Sequence, residues 1–154
     1  MNLLIIFTAK YLFLVSGLIY VLFTFSLFKT NKNKFKSFIL LSVISFPLIY
    51  LVAKLLGMII SDPRPFLITH TKPLIDSAID NGFPSDHTLL TMALASIVFL
   101  YNRKLGIFLT VLALLVGIAR VFAGVHHWLD IFGSICIAIA VAGTTYFIAR
   151  TKSK

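Results

Sequence analysis

YLFLVSGLIYVLFTFSLF, residues 11–28, contains no charged side chain. It is long enough to cross the hydrocarbon of a bilayer as a helix, which takes about 20 apolar residues. The rest of the chain has the same character: of 154 residues, 59% are hydrophobic and 12% charged, and the mean hydropathy is +1.00. A water-soluble domain of this size has too little interior to hide so much apolar surface, so the solvent must largely be lipid. The single cysteine, Cys136, lies in an apolar run and has no disulfide partner.

Four more apolar runs follow at 38–60, 85–101, 105–122 and 130–149. The second contains Pro47, a kink signal, and Lys54, and the third and fourth reach spanning length only with their polar ends counted as helix. The expected architecture is all-α: an integral membrane helical bundle of about five transmembrane helices, one domain over residues 1–154. The N-terminus lacks the basic region and small-residue cleavage site of a signal peptide, so it is read as mature chain.

Net charge is +9, yet the basic residues sit in short clusters between apolar runs rather than along a nucleic-acid-binding face. Lys29, Lys32, Lys34 and Lys36 follow the first run, Arg103 and Lys104 the third, and Arg150, Lys152 and Lys154 the fifth. With alternating spans all nine share one side, which the positive-inside rule makes cytoplasmic; the N-terminus is then outside and the C-terminus cytoplasmic. All five acids (Asp62, Asp76, Asp80, Asp86 and Asp130) fall on the other side.

That outer side carries three polar motifs: SDPRPF from Ser61, FPSDH from Phe83, and ARVFAGVHHWLD from Ala119. Arg64 and Arg120 offer planar forks of donors that match phosphate oxygens. Ser85 stands at a helix N-cap position, where free N–H groups and the helix dipole favour an anion. His126 and Asp130 are four apart and share a helical face. A carboxylate bonded to one ring nitrogen leaves the other free to attack, and His87 can protonate the departing oxygen. These parts describe a phosphoryl-transfer site that needs no metal or other cofactor.

The motifs Arg64-Pro65, Pro84-Ser85-Asp86-His87 and Arg120-x5-His126-x3-Asp130 resemble the type-two phosphatidic acid phosphatase superfamily. That superfamily's signatures run Lys-x6-Arg-Pro, Pro-Ser-Gly-His and Ser-Arg-x5-His-x3-Asp. The stretch PRPFLITHTKPLIDSAIDNGFPSDHT is similar to the undecaprenyl-diphosphatases associated with bacitracin resistance. The resemblance covers about residues 50–140. It implies His126 as a nucleophile forming a phosphohistidine, Asp130 as its partner and His87 as the acid, with Arg64, Arg120 and Ser85 on the phosphate. The implied substrate is an isoprenoid lipid diphosphate in the bilayer, cleaved to the monophosphate at the outer face of the cell membrane.

Three positions depart from the pattern. Gly57 stands where the first motif has lysine, and Lys54, one turn away, is the nearest substitute for binding phosphate. Ala119 replaces the usual serine. Asp86 replaces glycine and is expected to turn away from the anion as a helix N-terminal partner. Five spans are one fewer than the superfamily's usual six, and the sequence leaves the oligomeric state open. His127 reads as a bystander and Lys10 as a side chain reaching outer head groups. Three rival functions follow. One is hydrolysis of another lipid phosphate, such as phosphatidylglycerophosphate or phosphatidic acid. Another is zinc-dependent hydrolysis using Asp86, His87, His126, His127 and Asp130. The last is a non-catalytic protein that binds the lipid diphosphate.

Overall fold

In a computed structural model that describes residues 2–151, the chain forms six helices. They are α1 (Asn2–Thr30), α2 (Lys32–Ile59), the single-turn α3 (Pro65–Thr69), α4 (Asp86–Phe99), α5 (Arg103–Phe122) and α6 (Trp128–Thr151). Lys152 and Lys154 of the basic tail lie outside the described residues.

α1, α2, α5 and α6 are long and apolar enough to cross a membrane. α1 begins well before residue 11, because the segment ahead of Lys10 is also apolar and one charge does not end a helix. α2 runs on through Pro47. The third expected span, α4, has only 14 residues. At 1.5 Å per residue it reaches about 21 Å, short of the roughly 30 Å of hydrocarbon.

Position explains the shortfall. α4 packs against α1, α2, α5 and α6, and Leu89, Met92, Ala93, Ala95, Ile97 and Val98 are all buried. It is apolar nearly all round because most of its surface meets protein, Leu90 and Phe99 being its exposed large apolar side chains. A helix shielded by four longer ones has no need to match the bilayer's thickness. α1 shows the opposite pattern, with only Ala9, Ser16 and Leu27 buried along its length; its outer surface is a lipid-facing one.

Small residues let these helices approach closely, as they do where helix association lacks a hydrophobic drive. A Cβ added at Gly106 of α5 would overlap the Phe99 backbone at the end of α4. Ser134, Ala138 and Ala142 form a buried strip on α6. At the end where α1 meets α2 and α4 meets α5, Asn31 and Asn102 cap α2 and α5 by accepting from the Lys34 and Leu105 amides at 2.9 and 3.1 Å. Tyr101 bonds Ser37 at 2.8 Å there, drawing α4 and α2 together.

The opposite end is closed by residues 60–85, and Asn81 is its clasp. Its side-chain amide donates to the Gly57 and Ile60 carbonyls at 2.7 and 2.8 Å. Its carbonyl oxygen accepts from the Asp62 and Phe83 amides at 2.9 and 3.2 Å. These four bonds tie the loop's return to the end of α2 and fix where Arg64 enters.

Gly106→Ala should lower the thermal midpoint in detergent, the overlap with Phe99 costing about 1–3 kcal/mol. Gly17→Ala, where an added Cβ meets nothing within 4 Å, should be neutral or stabilising by up to about 1 kcal/mol. Equal midpoints for the two variants would contradict the α4–α5 contact.

Candidate active site

Arg64, Arg120, His126 and Asp130 come together at the closed end of the bundle. The turn between α5 and α6 sets the last three. Gly124 supplies its left-handed residue, with φ +77°, a conformation that side chains resist. The Val125 amide bonds back to the Arg120 carbonyl at 3.3 Å, and α6 then starts at Trp128. His126 therefore faces back toward Arg120 while staying one turn from Asp130.

Asp130 is completely buried and His126 is 2% exposed. The His126 Nδ1 lies 3.0 Å from Asp130 Oδ2, and the same oxygen accepts the His127 amide at 2.9 Å. A carboxylate there needs Nδ1 to carry the proton, so Nε2 holds the lone pair. Nε2 is flanked by Arg64 Nη1 at 3.2 Å and Arg120 Nη2 at 3.3 Å. Burial pushes the His126 ring below the usual histidine range; the Asp130 hydrogen bond opposes this, and the charges of Arg120 and Arg64 reinforce it. A neutral ring with a free nitrogen is the nucleophilic form.

Arg64 donates through Nε to Asp80 Oδ1 at 2.8 Å and through Nη1 to the Val125 carbonyl at 3.0 Å. Asp80 is 57% exposed, so this ion pair is solvent-screened and contributes under about 1 kcal/mol. Arg120 has no carboxylate partner, and its Nε is buried with no acceptor among the described residues. A donor left that way costs about 1–3 kcal/mol. The buried site thus holds two guanidiniums against one buried carboxylate. It is short of an anion.

A cavity of about 410 Å³ opens onto this cluster, and His87 and Asp86 at the start of α4 form part of its wall. Asp86 does not turn away as expected, although it does occupy the first turn of α4. Ser85 is the N-cap of α4, yet its side chain caps nothing; it accepts from Thr88 Oγ1 at 3.2 Å and is fully buried. Its backbone carbonyl takes the Ser134 hydroxyl at 3.0 Å, fastening α4 to α6 beside Asp130.

Lys54 is not brought to the site. It is exposed, with Nζ 5.4 Å from the Tyr50 ring centroid one turn back. The helix face that points inward belongs to Gly57, where an added Cβ would sit 2.9 Å from the Phe83 carbonyl oxygen. The loop that Asn81 clasps occupies the place of the motif's lysine.

Several residues escaped the sequence reading. His127 is no bystander: besides its amide bond to Asp130, its Nδ1 lies 3.0 Å from Asp62 Oδ1. Burial raises the Asp62 carboxyl above the usual range, the charge of Asp130 adds to the rise and His127 works against it. Gly82 lets the loop lie against this group, since its Cβ would sit 2.9 Å from Asp130 Oδ2. The only signal in sequence was proximity to the motifs. Among the described residues, the carboxylate and imidazole ligand atoms that gather within 4.8 Å of one another belong to Asp62, His127 and Asp130. This differs from the zinc set weighed from the sequence, with Asp62 standing in place of Asp86, His87 and His126. Lys10 and Tyr11 of α1 also line the cavity, which places Lys10 at the site rather than among head groups alone.

Residues 35–154 match the profile of the PAP2 superfamily. The chain is 33% identical to the Bacitracin transport permease protein BcrC of Bacillus licheniformis over 99% of its own length and 74% of the relative's. It is 37% identical to the Undecaprenyl-diphosphatase BcrC of Bacillus subtilis over 87 residues, covering 56% of this chain and 45% of that one. The chain thus spans about three quarters of the first relative and under half of the second. In three dimensions it is similar to the crystal structure of Aquifex aeolicus LpxE, with a TM-score of 0.71 and 26% identity over 94% of this chain and 86% of that one. Three motifs in the superfamily's order, a shared fold and a profile match over most of the sequence have one reading: this membrane protein belongs to the PAP2 superfamily of phosphatases.

Proposed function

We propose that this protein hydrolyses undecaprenyl diphosphate to undecaprenyl monophosphate through a phosphohistidine on His126, acting as a single membrane-embedded domain. The observation that carries the reading is the position of His126 Nε2, held between two guanidiniums while Nδ1 is fixed by a buried carboxylate. A protein that only bound the lipid would need the arginines and would have no use for an oriented lone pair.

The contacts of Arg64 and Arg120 with Nε2 are long, near the end of the hydrogen-bond range. Incoming phosphate oxygens are better acceptors and take those donors, including the idle Arg120 Nε, which leaves Nε2 free to attack. In the first step Nε2 bonds to the distal phosphorus and the phosphorus–oxygen bond to the lipid monophosphate breaks. Burial and the Arg120 charge hold the His87 ring down to about 4 in the free site; the arriving phosphate's negative charge draws a proton from water onto it, and His87 passes that proton to the departing oxygen. In the second step water attacks the phosphohistidine and passes a proton to His87. The phosphorus–nitrogen bond breaks, orthophosphate leaves and His126 is restored. Asp130 balances the positive charge that the ring carries while phosphorylated, and the guanidiniums balance the phosphoryl oxygens.

The relatives named for bacitracin and for undecaprenyl diphosphate support the substrate. So does the architecture, in which the polar cavity opens at the end of an apolar bundle and the lipid tail can stay in the bilayer. Lys29, Lys32, Lys34, Lys36, Arg103, Lys104 and Arg150 cluster about the opposite end, and the positive-inside rule then assigns the active site to the extracytoplasmic side.

Phosphate release from undecaprenyl diphosphate, phosphatidylglycerophosphate and phosphatidic acid in detergent should be fastest for the first. His126→Ala should cut that rate by roughly four orders of magnitude or more and abolish acid-labile phosphate on the protein while leaving it in the membrane. Turnover at the wild-type rate in this variant would end the mechanism. A depressed His126 keeps the ring neutral down to a lower pH, so the acid limb of kcat/KM should fall below about pH 6.5, the ordinary histidine value. A limb above that value would contradict the placement of His126.

A further inference from the structure

Between Asn2 and Phe28, α1 carries one charge, Lys10. An ammonium on a lipid-facing helix is expensive unless it reaches water or a partner, and such residues mark function. Here it reaches the same cavity as Arg64, Arg120, His87 and His126.

Two contacts hold α1 in that position. Ala9 is fully buried in a cluster with Ala119, Ala123 and Val125, at the end of α5 that bears Arg120. The Phe13 ring meets the His87 ring edge-on, with centroids 4.9 Å apart. Lys10 and Phe13 are three residues apart and share a helical face, so α1 turns one side to the site and the other to lipid.

Charge on the cavity wall makes Lys10 consequential. Lys10 stands with Arg64 and Arg120 on a wall that also carries Asp76, Asp80 and Asp86, and it is the cation there that comes from α1. The lysine expected from α2 does not serve, because Gly57 has no room for a side chain and Lys54 lies elsewhere. α1 also precedes the residues that match the superfamily profile, so this contribution comes from outside the shared motifs.

We propose that Lys10 forms a second phosphate subsite, which holds the lipid-side phosphate of a diphosphate while Arg64 and Arg120 hold the one transferred to His126. The inference rests on the lipid diphosphate reading above. α1 is the least buried of the membrane-length helices, so a head group drawn in from the bilayer past it presents its lipid-side phosphate to Lys10. That phosphate departs with the tail, and the ammonium stabilises the charge it gains as the bond breaks.

The test uses the full chain in detergent, with undecaprenyl diphosphate as substrate and orthophosphate, which needs only the reacting subsite, as inhibitor. Lys10→Met and Lys10→Gln should each lower kcat/KM about tenfold, the size of one lost charge-assisted hydrogen bond. Orthophosphate should inhibit these variants no less than wild type, and Lys10→Arg should stay within about threefold of wild type because it keeps the charge. Neutral variants with wild-type kcat/KM would overturn the proposal. So would inhibition by orthophosphate that weakens in parallel, or an arginine variant as impaired as the neutral ones. Wild-type protein that releases no phosphate from the diphosphate would end the functional reading and this one together; active wild type with indifferent neutral variants ends only this one.

Discussion

A fully buried carboxylate with one oxygen shared between an imidazole and a backbone amide is the contact on which the site depends. Asp130 Oδ2 takes both the His126 ring proton and the His127 N–H, and that double hold fixes ring plane and tautomer at once. An unpaired carboxylate at such depth would be strongly destabilising. Here Oδ2 is matched by two donors, and the carboxylate as a whole by the positive field of Arg64 and Arg120. The two guanidiniums outnumber it, and the surplus is what a phosphate would neutralise. Binding and chemistry thus draw on the same imbalance.

The bundle exists to hold that imbalance still. α5 and α6 deliver Arg120, His126 and Asp130 across one tight turn at Gly124. α4, shorter than a bilayer and encased by the other helices, brings His87 to the same depth, and Ser134 fastens it to α6 through the Ser85 carbonyl. Arg64 comes from a loop, the least rigid source, and the loop is correspondingly well tied: Asn81 clasps it to α2 and Asp80 steadies the guanidinium from outside. α1 closes the remaining side with Ala9 and Phe13. α1, α4, α5 and the 60–85 loop all bring polar groups to the pocket, and the helices bury apolar surface elsewhere.

Much of this could be read from residue order. Apolar run length gave the helices, and the His126–Asp130 spacing gave the one pair that a helical turn joins without help from the rest of the chain. Arg64 and Arg120 were legible through their motifs. Failures came where long-range packing decides. Lys54 was chosen by distance along α2, but the inward face of that helix is set by the loop pressed against Gly57. Ser85 met the rule for a cap, yet burial against Thr88 takes its hydroxyl away from the backbone. His127 and Asp62 meet only because residues 60–85 fold back over α6. Lys10 looked like an ordinary interfacial lysine, since nothing local tells which face of α1 is turned inward.

The central claim is that Arg64 and Arg120, 56 positions apart in the chain, act on one phosphate beside one nitrogen. A double-mutant cycle on kcat/KM for undecaprenyl diphosphate hydrolysis, using Arg64→Lys, Arg120→Lys and the pair, tests it most directly. Lysine keeps the charge and removes the planar fork, so each single change should cost about 2 kcal/mol of transition-state stabilisation. Shared use of one phosphate requires strong coupling, with the double variant losing less than the two single losses together by at least about 1.4 kcal/mol, a factor of ten. Losses that simply add would mean the two arginines serve separate ends, and the single pocket described here would be wrong.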